Sequence, residues 1–192
     1  TLLESVLGKC AEGRVGVLSG PGIAPEVARG IPTSVVVAAP AEDLVRHIQG
    51  GFRTPRFRVY SQRDVLGVEL CGALKNIMAI AAGMCDGLGF GANTKSALIT
   101  RGLAEMTRLG TALGADPRTF AGLAGIGDLV VTSFSPLSRN RRCGEAPGRG
   151  CTLDEARREI GMALEGISAA EVACRLGHEK KIEPPLSQAG RE

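Results

Sequence analysis

Residues 64–83 read DVLGVELCGALKNIMAIAAG, with apolar or small side chains at nearly every position. The run is too long for a strand, and its lack of a polar face predicts a helix buried all round. Upstream the texture is different. Arg14 to Ser19 and Phe57 to Tyr60 read as short strands, and Ser34 to Ala39 (SVVVAA) reads as a strand buried on both faces. Ala24 to Arg29 and Asp43 to Gln49 read as helices between them, the alternation of an α/β layer. Downstream the pattern stays helical. The sequence therefore predicts an α/β unit over residues 1–63 and a mainly helical unit over residues 64–192, with the boundary near residue 64.

Local signals place several helix ends. In the amphipathic segment Asn93 to Leu113, Ile99, Leu103, Met106 and Leu113 fall on one side, and Arg101, Glu105 and Arg108 on another. Gly114 is placed to stop it, and Asp116 before Pro117 to start the next helix. Thr152 with Glu155, and Ser168 with Glu171, have capping-box spacing, so short helices are expected from Leu153 and from Ala169, the latter ending at Gly177. Gly87-Leu88-Gly89-Phe90-Gly91-Ala92 fits a dinucleotide fingerprint but follows a helix rather than a strand, so it reads as an interhelical loop.

Composition narrows the classes of function. A net charge of +3, 3% aromatics and no Trp argue against a nucleic-acid surface. No window of ~18 apolar residues is free of charge, so no membrane span is expected. The six cysteines form no C-x-x-C pair and the two histidines stand far apart, so no metal site is expected. A reducing, cytoplasmic setting without disulfides follows.

Three places could carry chemistry. From Leu70 to Cys85, Lys75 is the only charged residue, with the small Cys71, Gly72, Ala79 and Ala82 about one or two turns away. It is either a ligand-facing ammonium or a side chain reaching solvent from a helix edge. Gly122 to Thr132 (GLAGIGDLVVT) carries one acid, Asp128, which locally reads as a turn cap. Ser138-Arg139-Asn140-Arg141-Arg142 offers an N-cap serine with a guanidinium in the first helical turn, suited to a phosphate, or else a solvated basic turn.

Together, GALKN (72–76), GLGFGAN (87–93), ALITRGLAEM (97–106), GLAGIGDLVVT (122–132) and SRNRR (138–142) resemble the bacterial-type NAD(P)-dependent glycerol-3-phosphate dehydrogenases. The match is dense from about Val59 to Gly166, and Leu18-Ser19-Gly20-Pro21, Ala24, Glu26-Val27-Ala28 and Pro32-Thr33 resemble that family's last Rossmann strands. The resemblance implies the later part of a Rossmann-type α/β sheet followed by a mainly α-helical substrate domain, like the C-terminal domain of 6-phosphogluconate dehydrogenase. It implies interconversion of sn-glycerol 3-phosphate and dihydroxyacetone phosphate with NAD or NADP, in glycerophospholipid precursor synthesis, by a cytoplasmic homodimer. Lys75 would be the general acid/base. Gly20, Asn76, Asp128, Thr132, Ser138, Arg139 and Asn140 would join it around the substrate, and Gly20, Ala24, Arg139 and Glu165, in Leu164-Glu165-Gly166, would meet the cofactor.

The sequence also departs from that pattern. The family's N-terminal G-x-G-x-x-[GA] loop and a second substrate lysine have no counterpart, and Gly22-Ile23 stands where Ser-Phe is usual. Ile182 to Leu186 (IEPPL) resembles the turn before the family's last helices. The expectation is a C-terminal fragment. The alternatives are a non-catalytic helical dimerisation or binding module, and a related dehydrogenase of another hydroxy acid.

Overall fold

The computed structural model describes residues 2–161, 165–183 and 186. Leu164 and the Pro184-Pro185 turn, quoted above, lie outside the described residues. After helix α1 (Leu2–Leu7) the chain runs β1 (Val17–Ser19), α2 (Ala24–Ala28), β2 (Thr33–Ala38), α3 (Glu42–Phe52) and β3 (Phe57–Gln62). The strands lie in the order β1-β2-β3, with β1 antiparallel to β2 and β2 parallel to β3. The central strand β2 is buried on both faces because its side chains alternate. Val35, Val37 and Ala39 join a core with Val45 and Val59 under α3, while Val36 and Ala38 face the helical side.

Asp64 ends the sheet region and caps the long helix α4 (Val65–Gly87), its Oδ1 accepting from Gly67 N at 2.8 Å. Its Oδ2 accepts from Asp116 N at 2.9 Å and Thr119 Oγ1 at 2.6 Å, and Gln62 donates to Thr119 Oγ1 at 2.5 Å. One carboxylate thus joins the end of β3, the start of α4, and the start of the short helix at Pro117–Phe120 that follows α5 (Ala92–Ala112). The remaining elements are α6 (Pro117–Phe120), a π-helical turn (Leu123–Gly127), α7 (Asp128–Phe134), α8 (Arg139–Gly148), α9 (Leu153–Ile160) and α10 (Glu165–Glu179).

Helix α4 is the axis of the helical region, packed against α5, α7, α8 and α10. Its Cys71, Leu74, Ile77, Met78 and Ala79 are buried. By length and composition it passes as long and apolar enough to cross a membrane, which the charge count above did not anticipate, yet half of that stretch is buried inside the protein. Its contact with α8 runs backbone to backbone. A Cβ on Gly83 would overlap the carbonyl of Arg141, and one on Gly144 would overlap that of Ile80. Gly87 and Gly148 meet in the same way one turn further on. Two G-x-x-x-G pairs therefore bring these helix axes close, where any side chain would hold them apart.

Several local expectations need correction. Glu105 faces inward, 2% exposed, because the buried arc of α5 includes Gly102, Met106 and Leu109; its Oε2 accepts from Leu186 N at 2.8 Å. Ser168 does not cap a helix: α10 runs through it from Glu165 to Glu179, past Gly177, and its hydroxyl bonds the Glu165 carbonyl at 3.3 Å. The i, i+3 spacing of a capping box also recurs inside any helix. At Thr152 and Glu155 the reciprocal cap does form, with Thr152 N to Glu155 Oε2 at 2.7 Å and Glu155 N to Thr152 Oγ1 at 3.3 Å. Gly114 follows α5 at φ +102°, and Leu88 to Gly91 form a loop between helices.

Candidate active site

Lys75 does not snorkel to solvent. Its side chain is 19% exposed and its Nζ donates to Asp128 Oδ2, from a carboxylate only 4% exposed. Asp128 is not a turn cap. It sits where the π-helical turn passes into α7, and that wide turn aims it back at α4. Its other oxygen accepts from Thr132 Oγ1 at 3.1 Å, one turn along α7. Ser19, at the end of β1, completes the group with its Oγ 3.5 Å from Asp128 Oδ2. Ser19 is a site residue that the residue chemistry of the sequence did not single out; it lay inside the LSGP run at the strand end. A Cβ on Gly72 would lie 3.7 Å from its Oγ, in ordinary contact, so the strand end packs directly on α4 one turn before Lys75.

Gly20 follows Ser19 with φ +138°, and a Cβ there would come within 3.0 Å of Val35 Cα. Only glycine fits this turn, and it leads Pro21 towards Gly127, beside Asp128. Ala24 opens α2 and is exposed on the sheet side, without a described contact to the other candidates.

A second group forms at the start of α8. Ser138 Oγ caps the helix, accepting from Arg141 N at 3.3 Å. Arg139 Nη2 meets Glu165 Oε1 at 2.9 Å, and Asn140 Nδ2 lies 3.4 Å from Glu165 Oε2. Asn140 Oδ1 accepts from Gly166 N at 3.1 Å. Asn76 follows Lys75 on α4, its side chain bonded within its own helix and its backbone packed against Gly166. Its Nδ2 bonds the Gly72 carbonyl at 3.2 Å, and its own carbonyl would be 2.7 Å from a Cβ on Gly166. The structure therefore brings Lys75, Asp128 and Thr132 together, and separately Arg139, Asn140 and Glu165. Clefts of about 570 Å³ beside Arg46 and Arg63 and about 380 Å³ beside Phe52 lie on the sheet side, away from both groups.

Beside Lys75, Cys71 is fully buried and its thiol is pushed up to about 12, first by burial and then by the charges of Asp64 and Asp128. It is an inert packing group, not a nucleophile. Among the described residues no cluster of His, Cys, Asp and Glu could hold a metal ion, and all six cysteines are free thiols.

An α/β layer leading into a helical unit, with a buried lysine–aspartate pair at their junction and a capped basic turn beside it, has the architecture of the two-domain dehydrogenases. Comparison with known proteins narrows this. The family model for the C-terminus of NAD-dependent glycerol-3-phosphate dehydrogenase matches residues 64–191, and that for its N-terminus matches residues 1–45. The chain belongs to the NAD-dependent glycerol-3-phosphate dehydrogenase family. It is 52% identical over 188 residues to glycerol-3-phosphate dehydrogenase [NAD(P)+] 1 of Salinibacter ruber, covering 98% of this chain and 55% of that protein. It is 53% identical over 186 residues to glycerol-3-phosphate dehydrogenase [NAD(P)+] of Thermoanaerobacter sp., covering 97% of this chain and 56% of that protein. The crystal structure of glycerol-3-phosphate dehydrogenase from Coxiella burnetii superposes with a TM-score of 0.89 at 45% identity, over 91% of this chain and 54% of that one. The chain spans about half the length of the curated relatives it matches.

Proposed function

We propose that this protein interconverts sn-glycerol 3-phosphate and dihydroxyacetone phosphate with NAD or NADP, and that residues 64–192 form its substrate domain after an α/β unit over residues 1–63. The observation that carries the reading is the Lys75–Asp128 pair, held by hydroxyls of Thr132 and Ser19 next to the first turn of α8. A nicotinamide dinucleotide, when bound, supplies the hydride acceptor or donor. The residues suit such a group. The Gly20 turn brings Pro21 to Gly127, beside Asp128, and Glu165 offers a carboxylate next to Arg139.

In the oxidative direction Lys75 Nζ takes the proton of the substrate C2 hydroxyl as hydride leaves that carbon; in reverse, protonated Lys75 returns it to the carbonyl oxygen. Asp128 orients Nζ, and Thr132 and Ser19 orient Asp128. Arg139, Asn140 and the backbone N–H groups of the turn capped by Ser138 hold the substrate phosphate. Asn76 stands between the reacting carbon and the phosphate end. Glu165 engages Arg139 and must share or yield that guanidinium when an anion arrives. Gly20, Ala24, Arg139 and Glu165 border the dinucleotide. The setting is the cytoplasm, in glycerophospholipid precursor synthesis, and the protein acts as a homodimer.

The test is NAD(P)H absorbance with dihydroxyacetone phosphate, using the full product of the source gene with the 192-residue chain in parallel. Oxidation of either nucleotide that requires the phosphorylated ketone is expected. A folded gene product that binds NAD(P)H but leaves this ketone unreduced would sink the reading.

A further inference from the structure

A third charged cluster lies at the far end of α4, outside the residues placed around the substrate. Asp86 accepts from Lys95 Nζ through both oxygens, at 2.9 and 2.7 Å, and from Arg141 Nε at 2.6 Å. Lys95 is 6% exposed, an ammonium that could not be buried without this partner. Its outer side lies over the Phe134 ring, 4.5 Å from the centroid. Arg141 reaches on to Glu145 Oε2 at 3.4 Å. One carboxylate thus ties together α4, α5 and α8, with the last residue of α7 closing the cluster.

Arg141 is the residue that matters here. It stands one turn into α8, and its backbone N–H is the donor that Ser138 Oγ accepts. It follows directly on Arg139 and Asn140. Its carbonyl is also the group that Gly83 must be a glycine to admit. The geometry points to Asp86 as a positioning residue: with Lys95 it fixes Arg141 and so sets the orientation of the anion-holding first turn of α8. This rests on the proposed role of Arg139 and Asn140 in holding the substrate phosphate. Burial pushes the Asp86 carboxyl up, but the hydrogen bonds and charges of Lys95 and Arg141 outweigh it and hold the group below its usual range. The carboxylate therefore stays charged throughout the neutral range.

The experiment uses the full gene product and two variants, Asp86→Asn and Lys95→Met. Lys95→Met removes one of the two cations that hold the Asp86 carboxylate, so it loosens the hold on Arg141, and it serves if Asp86→Asn does not fold by circular dichroism. Inorganic phosphate binding is measured by calorimetry. Steady-state kinetics are measured with dihydroxyacetone phosphate and with phosphate-free dihydroxyacetone. A displaced first turn should weaken phosphate binding and raise KM for the phosphorylated ketone, each by about 10-fold, with kcat within about 3-fold. Asp86→Glu should restore most of the phosphate affinity. KM for the phosphate-free ketone should not move. Unchanged phosphate binding in a folded variant overturns the proposal. So do equal losses on both ketones, because they mean the cluster only supports the fold. If the parent protein binds phosphate but reduces neither ketone, the proposed function fails, and phosphate binding by the variants alone still decides the role of Asp86.

Discussion

The two ends of α4 carry the same chemical pairing in different surroundings. Lys75 and Asp86 are 11 residues apart, roughly 16 Å along the helix axis. Near the sheet, a lysine on α4 meets an aspartate from α7, and hydroxyls from Thr132 and Ser19 supply the rest of the carboxylate's bonds. At the far end, an aspartate on α4 meets two cations, Lys95 and Arg141. The first arrangement sets one ammonium on one carboxylate, with neutral hydroxyl donors around it. The second holds two cations on one carboxylate, which favours permanent charge and fixed geometry. Burial of a lysine does not by itself mark a base; what surrounds its partner decides.

The largest way to sharpen this contrast is Lys75→Ala. In the full gene product it should lower kcat by ~10²-fold or more while leaving dinucleotide affinity, read by fluorescence titration, nearly intact. Normal turnover would merge the two ends into one structural role. Asp128→Asn should lower kcat by less, since it removes the orienting group and keeps the base. A kcat loss equal to that of Lys75→Ala would make Asp128 an equal partner in the chemistry.

Arg139→Ala should raise KM for the phosphorylated substrate by about 10-fold, because a charge-assisted contact to an anion is lost. An unmoved KM returns Arg139 to the role of a partner for Glu165. The far end can be probed by pH. Asp86 is depressed when folded, so its stabilisation is present above the unfolded carboxyl value of about 3.9 and is lost as pH falls through the lower, folded value. The Tm gap between the parent and Asp86→Asn should be constant at neutral pH and close only below about pH 4. A gap that already closes near pH 6 would assign it to some other group. The smallest effect concerns Cys71. Exposed Cys10 and Cys151 should react with iodoacetamide in the native protein, while Cys71 stays unmodified until unfolding. Early labelling of Cys71, read by peptide mass spectrometry, would mean that the Lys75 end is open to water.

What could be read without the structure was local. The continuous apolar run Ser34 to Ala39 is a strand buried on both faces, as read, the stop at Gly114 and the box at Thr152 held, and Ser138 caps its helix. The family motifs named Lys75, Asp128, Thr132, Arg139, Asn140 and Glu165 as candidates, and the fold brings them into two adjoining groups. Local reasoning failed at Glu105 and Ser168, where a spacing rule had no knowledge of what packs on the other side. Nothing in the spacing joined Ser19 to Asp128, 109 residues away, or Asp86 to Arg141, 55 residues away. No local pattern told that Gly83 and Gly87 on one helix would meet Gly144 and Gly148 on another.

The sequence by itself determined which segments are helix or strand, where several of them end, and which residue types are available for chemistry. Dihedral preferences, capping bonds and side-chain periodicity act over a few residues, so they can be read from a few residues. Only the tertiary structure decided whether Lys75 reaches water or a carboxylate, and which acid Arg141 meets. A buried charge takes the partner that packing brings to it, and that partner is set by the whole arrangement of helices around α4.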